Sequence, residues 1–186
     1  MRQVQSEPNS SGHLAQPFVE ARIVNTSGRD VGVGEIGEMV LRGDPIMKGY
    51  WNNRAETDKV LRFGWLYTGD LCEIALTGAM RLVDRSKDVI ISGGRNIYSA
   101  EVEQALRTHG SVADCAVVGV PHPEWGETVV AVVTASEGSS PTLDELREHC
   151  AAQIADYKLP RRMVLGHIPR NASGKILKHR VRGMLE

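Results

Sequence analysis

Short apolar runs separated by Gly, Asn and Asp dominate residues 13–84: FVEARIV, EIGEMVLRG, GWLYTGDLCEIA and MRLVD. Runs of this length, bounded by turn-forming residues, predict β-hairpins rather than helices. One short helix is expected after Asn53, where Ala55, Glu56 and Lys59 favour it. After Asp84 the pattern changes. Ser99 is placed to cap a helix whose face carries Val102, Ala105, Leu106 and His109, with Gly110 to end it. DCAVVGV and TVVAVVT are uniformly apolar and β-branched, as in strands buried on both faces. Thr142 and Glu145 form a capping box for a helix turning Leu143, Leu146, Cys150 and Ile154 inward. A last helix is expected to start near Lys175. The fold class is therefore α+β: a β-rich region, then a small α+β domain with a three-stranded sheet and helices.

The chain has 186 residues, enough for one medium domain or two small ones. Hydrophobic residues make up 41% and charged residues 24%, the balance of a soluble globular protein. A formal net charge of −1 provides no overall field to attract nucleic acid or an anionic membrane. Three cysteines, Cys72, Cys115 and Cys150, have no metal-ligand spacing and read as reduced thiols in a cytoplasmic protein. Residues 1–12 are polar and expected to be disordered. They have no apolar core for a signal peptide, and no run in the chain is long enough to span a membrane.

Three segments offer chemistry. In Gly64–Asp70 (GWLYTGD), an Asp after Thr-Gly at a strand end can accept two hydrogen bonds from a diol, although turn chemistry alone explains Gly and Asp. In Asp84–Tyr98 (DRSKDVIISGGRNIY), four charges precede a strand and a Gly-Gly turn. That turn lets a ligand approach the backbone or simply connects strand to helix, and it lacks the spacing of a dinucleotide fingerprint. In Pro169–Lys175 (PRNASGK), a flexible Gly followed by Lys could place an ammonium against a phosphate or carboxylate. A solvated Lys opening a basic helix is the plain alternative. A fourth stretch, GEIGEMVLRG running on to KGYW and Thr57, shows strand and turn structure without chemistry.

In combination and in this order, GEIGEMVLRG…KGYW, YTGD, DRSKDVIISGGRNIYSAEVE and PRNASGKILK resemble the late motifs of one superfamily. It comprises acyl-CoA synthetases, peptide-synthetase adenylation domains and firefly-type luciferases. The resemblance covers residues 13–186 and points to the C-terminal part of a fatty-acid-type CoA ligase. It implies a remnant of the large AMP-binding domain (13–84), a hinge (85–87) and a C-terminal lid domain (88–186). The family's phosphate loop, acyl pocket and Tyr-Gly-x-Thr-Glu segment have no counterpart in the chain, so this chain alone is expected to be inactive.

Residue roles follow from the resemblance alone. Asp70 and Arg85 look like the pair that contacts the ATP ribose, with Tyr67 beside the nucleotide and Arg95 a position where some members contact the phosphates. Lys87 falls at the hinge. Lys175 looks like the mobile lysine that meets the acyl carboxylate and α-phosphate. Ser92, Gly93 and Gly94 match the turn along the pantetheine path, and Trp125, Tyr157 and Arg161 match CoA-nucleotide contacts of some members. The implied reaction joins a carboxylic acid, ATP and CoA through acyl-AMP. Mg2+ would be bound mainly outside this chain, and no residue here is assigned as a metal ligand. Two alternatives stay open: an adenylation domain loading a carrier protein, and a non-enzymatic module that binds nucleotide, CoA or a partner. The resemblance also implies that a protein acetyltransferase could modify Lys175.

Overall fold

The computed structural model describes residues 18–185. The expected disordered segment 1–12 lies outside them. The chain forms two compact units, the first ending at Lys87 and the second beginning at Asp88.

The first unit holds β1 (Val19–Val24), β2 (Ile36–Gly43), α1 (Arg54–Val60), β3 (Leu61–Arg62), β4 (Trp65–Ile74) and β5 (Met80–Arg85). The sheet runs β1-β2-β4-β3 with β5 also on β4, and every pairing is antiparallel. The short helix expected after Asn53 forms as α1, and Asn53 caps it, its side chain accepting from the Glu56 amide. The core is small: Ile23, Val31 and Cys72, with Met39, Ile74 and Met80 against them.

The second unit holds β6 (Ile90–Ser92), β7 (Arg95–Ile97), α2 (Ser99–Arg107), β8 (Val112–His122), β9 (Gly126–Ala135), α3 (Leu143–Ala151), β10 (Arg162–Leu165) and α4 (Lys178–Gly183). Its centre is the long β8–β9 hairpin, in which alternate side chains enter two separate cores. Cys115, Val117, Val129, Ala131 and Val133 join Leu106 of α2 and Leu146 of α3. Ala116, Val118, Val130 and Val132 join Ile168, Val181 and Leu185. Both faces are covered, which is why these strands read as unbroken apolar runs.

The α+β class holds, but the sheet has five strands instead of three. β10 adds a parallel strand along β9, and β6 joins β9 by the single pairing Ser92↔Gly126. Strands of three residues are too short to show a period, so β6–turn–β7 reads as a plain connection. Gly93 and Gly94, at φ +57° and +74°, close that hairpin with left-handed backbone at both positions, as a type I′ turn requires. The helix starts also differ. The cap of α2 is Tyr98, and Ser99 is a buried first-turn residue; α2 ends at Arg107, before His109 and Gly110. The last helix begins at Lys178, three residues past Lys175. The Thr142–Glu145 capping box forms as expected, and it holds the Glu145 carboxyl below the usual range through the hydrogen bond from the Thr142 backbone.

Candidate active site

In the first unit, Asp70 and Arg85 sit opposite each other across β4 and β5. Arg85 Nε donates to Asp70 Oδ1 at 2.7 Å. The local backbone is irregular: register shifts fall between Glu38 and Val40 on β2, and after Leu71 on β4. Gly69 there has φ +74° and donates to Glu38 Oε1, while Thr68 Oγ1 donates to the Met39 carbonyl and accepts from the Asp70 amide. The bulge re-aims Asp70 beside Arg85. An acceptor and a forked donor thus stand side by side, the pairing a vicinal diol can bridge. The Tyr67 ring lies 3.7 Å under the Arg62 guanidinium. Cys72 is no nucleophile, since burial, and secondly the Asp70 charge, push its thiol up to about 11.

Lys87 is exposed in a 3-10 turn, Ser86–Asp88, where the first unit ends.

In the second unit the candidates form two groups. Around the Gly93–Gly94 turn, the Gly93 amide donates to the Trp125 carbonyl at 3.0 Å, and the Ile91 amide to Glu127 Oε2 at 2.8 Å. Trp125 stacks on His122 (centroids 4.3 Å, 6° between planes) and lies 3.8 Å under the Arg161 guanidinium. Arg95 lies 4.5 Å over the Tyr157 ring. A Cβ at Gly93 or Gly94 would meet nothing within 4 Å, so the turn is open to a slim ligand. Ser92, Gly93, Gly94, Arg95, Trp125, Tyr157 and Arg161 therefore gather into a basic, aromatic surface, suited to a phosphorylated nucleotide.

The second group surrounds Lys175. The segment expected to be flexible is a closed hairpin. Leu177 N donates to Pro169 O, Asn171 N to Lys175 O, and Gly174 N to Asn171 O, each within 3.0 Å. Asn171 Oδ1 accepts from Ser173 N, Ser173 Oγ and Lys175 N. Gly174, at φ +82°, makes the turn. The Lys175 side chain is exposed and has no ion pair among the described residues, whereas Lys158 is held by Glu101 and Lys178 by Glu103.

These groups sit at opposite ends of the same hairpin. Ser92 pairs with Gly126 at the start of β9, and Arg170 binds Asp114, which pairs with Thr134 eight residues further along β9. At strand rise that separation is about 26 Å. Asp114, Arg170, Glu103, Lys178 and Glu127 received no role from sequence. Each is an ordinary charged residue whose partner is distant in the chain. Among the described residues no group of three or more His, Cys, Asp or Glu could hold a metal ion. No described helix is long and apolar enough to cross a membrane.

Residues 101–175 match the AMP-binding enzyme C-terminal domain, which sets the class. Feruloyl-CoA synthase from Amycolatopsis sp is 45% identical over 178 residues, 95% of this chain and 36% of that protein. A long-chain-fatty-acid–CoA ligase from Bacillus subtilis is 39% identical over 178 residues, 95% of this chain and 32% of that one. An amide bond synthetase from Marinactinospora thermotolerans superposes with a TM-score of 0.87 at 37% identity, over 95% of this chain and 36% of its own. Residues 101–175 belong to the AMP-binding enzyme C-terminal domain family, and nearly the whole chain is similar to acyl- and aryl-CoA ligases of the adenylate-forming superfamily. It spans about a third of the length of these relatives. Nothing among them supports a protein acetyltransferase as a partner.

Proposed function

We propose that this chain is the C-terminal portion of an AMP-forming acid–thiol ligase, with 13–84 belonging to the AMP-binding domain, 85–87 the hinge and 88–186 the lid. In the first step an acid carboxylate oxygen attacks the α-phosphorus of ATP. The bond to the β-phosphate oxygen breaks, and pyrophosphate leaves. Asp70 and Arg85 hold the ribose, with Tyr67 beside the nucleotide. Lys175 brings a preplaced cation to the charge developing at the α-phosphate. In the second step the CoA thiol loses its proton, sulfur bonds to the acyl carbon, and AMP leaves. The Ser92–Gly94 turn lines the thiol path, while Trp125, Tyr157, Arg161 and Arg95 take the CoA nucleotide.

The observation that carries this reading is the separation of about 26 Å along one hairpin. Lys175 and the Gly-Gly turn cannot serve one acyl carbon at the same time, so the lid must exchange them by rotation at Lys87. Relatives act on both an aryl and a long-chain fatty acid by name, and the acid here is a small-molecule carboxylate of either kind. The likeness to an amide bond synthetase favours a second reading, with an amine in place of the thiol. Supplying acyl-AMP with CoA or with amines, and comparing products, separates the two.

The test is Lys175→Ala in the complete encoded protein. Acyl-AMP formation, followed by ATP–pyrophosphate exchange, is expected to fall about 10²–10³-fold. Thioester formation from supplied acyl-AMP is expected to stay near the parental rate. Equal loss in both steps would refute the proposal.

A further inference from the structure

We propose that Arg170, gripped by Asp114, is the residue that positions Lys175, an inference that rests on Lys175 being the cation of the adenylation step. The hydrogen bonds centred on Asn171 set the internal shape of the hairpin but do not attach it to the domain. On the upstream side the attachment is one guanidinium. Arg170 Nη2 donates to Asp114 Oδ2 at 2.7 Å and Oδ1 at 2.9 Å, with Nε 3.3 Å from Oδ2. Its Nη1 donates to the carbonyl of Gly174 at 2.6 Å, the residue immediately before Lys175. Asp114 is itself oriented, since its Oδ1 accepts from the Cys115 amide at 2.9 Å. One rigid planar group thus ties the first residues of β8 to the peptide that carries the lysine.

The downstream flank is anchored independently. Ile176 packs against the core beneath α4, and Lys178 Nζ reaches Glu103 Oε1 at 2.8 Å and Ser99 Oγ at 2.6 Å. Upstream, Arg170 pairs with Asp114 and its positive charge is answered there. Lys175 is left as the unpaired cation of the segment. An ammonium cannot replace the guanidinium, because a single point of charge cannot satisfy the carboxylate fork and the Gly174 carbonyl together. The Arg170 and Asp114 side chains are 39% and 29% exposed, so their pair adds little to global stability. The geometry assigns it to placement: a misplacement of about 1 Å at a reacting group can cost about 10²-fold in rate.

The test compares Arg170→Lys and Asp114→Asn with the parent in the complete encoded protein. Hydrogen exchange of residues 169–177 is read by mass spectrometry, and the two half-reactions are timed separately. The expected results are amide exchange at Ser173, Gly174 and Lys175 about tenfold faster, and adenylation kcat lower by about 10–100-fold. KM for ATP, thioester formation from supplied acyl-AMP and the thermal midpoint should be little changed, and Asp114→Glu should recover part of the rate. Unchanged exchange overturns the clamp. So does unchanged adenylation in a protein where Lys175→Ala is crippling. If Lys175→Ala is harmless, the assignment of Lys175 falls, and exchange alone still decides whether Arg170 holds the hairpin.

Discussion

At the Asp114 end of the β8–β9 hairpin, position is set by full charges: Asp114 with Arg170, and Glu103 with Lys178. At the Gly126 end it is set by backbone: the Ser92↔Gly126 pairing, the Gly93 amide on the Trp125 carbonyl, and two left-handed glycines. The contrast fits what the proposed function asks of each end. A lysine that meets developing charge has to arrive in one place, and ion pairs supply direction. A turn that admits a thin thiol chain has to leave room, and only glycine offers both the conformation and the space. The charged residues at the second end, Arg95 and Arg161, lie on aromatic rings instead of carboxylates, leaving their donors free for phosphate.

The largest test of this contrast acts on neither end. Lys87→Pro fixes φ and constrains the preceding residue at the junction of the units. It is expected to slow thioester formation by about 10²-fold while adenylation stays within a few-fold, the reverse of Lys175→Ala. Parental thioester synthesis by this variant would remove Lys87 from the mechanism. Next is Lys178→Ala, which leaves the buried Glu103 carboxylate with the half-exposed Arg107 as its remaining cationic partner, 3.2 Å away. A stability loss of about 2 kcal/mol is expected from urea unfolding, and replacing Glu103 by Leu as well as Lys178 by Met should recover most of it. A loss as small as that of a surface pair would show that the charged end does not need its second anchor. The smallest effect is expected for Gly94→Ala. Left-handed backbone costs Ala about 1–2 kcal/mol, so the turn shifts and the thioester step slows by about tenfold, with adenylation intact. Equal slowing of both steps would blur the two ends into one.

The two ends were unequally legible in the sequence. The β8–β9 hairpin announces itself by unbroken β-branched runs, and Thr142 with Glu145 announces α3, because both signals are local. Lys175-Ile176-Leu177-Lys178 also looks like the opening of a helix. The misreading arises because Asn171 closes a hairpin first, and nothing local reveals that its side chain accepts three hydrogen bonds. Glu103 sits beside Val102 on α2 and reads as a solvent-facing residue. It is buried because the Val117 amide and Lys178 meet it from β8 and α4, each far away in sequence. Asp70 and Arg85 were both identifiable through resemblance, yet their direct ion pair depends on the β4–β5 register, which turn residues alone do not fix. Charged networks are thus the part of the site that sequence pattern hides.

Ala116, Val118, Val130 and Val132 are covered by Ile168, Val181 and Leu185, which are the last parts of this segment to be synthesised. While the polypeptide is emerging, β8 and β9 can already pair, since their contacts are close in sequence, but one side of that ribbon stays oily and wet. The same closing segment, 168–185, carries Lys175. Translation therefore completes the Lys175 hairpin and the shield over the sheet together, and a nascent second unit stopped short of Ile168 would present a sticky valine surface to chaperones.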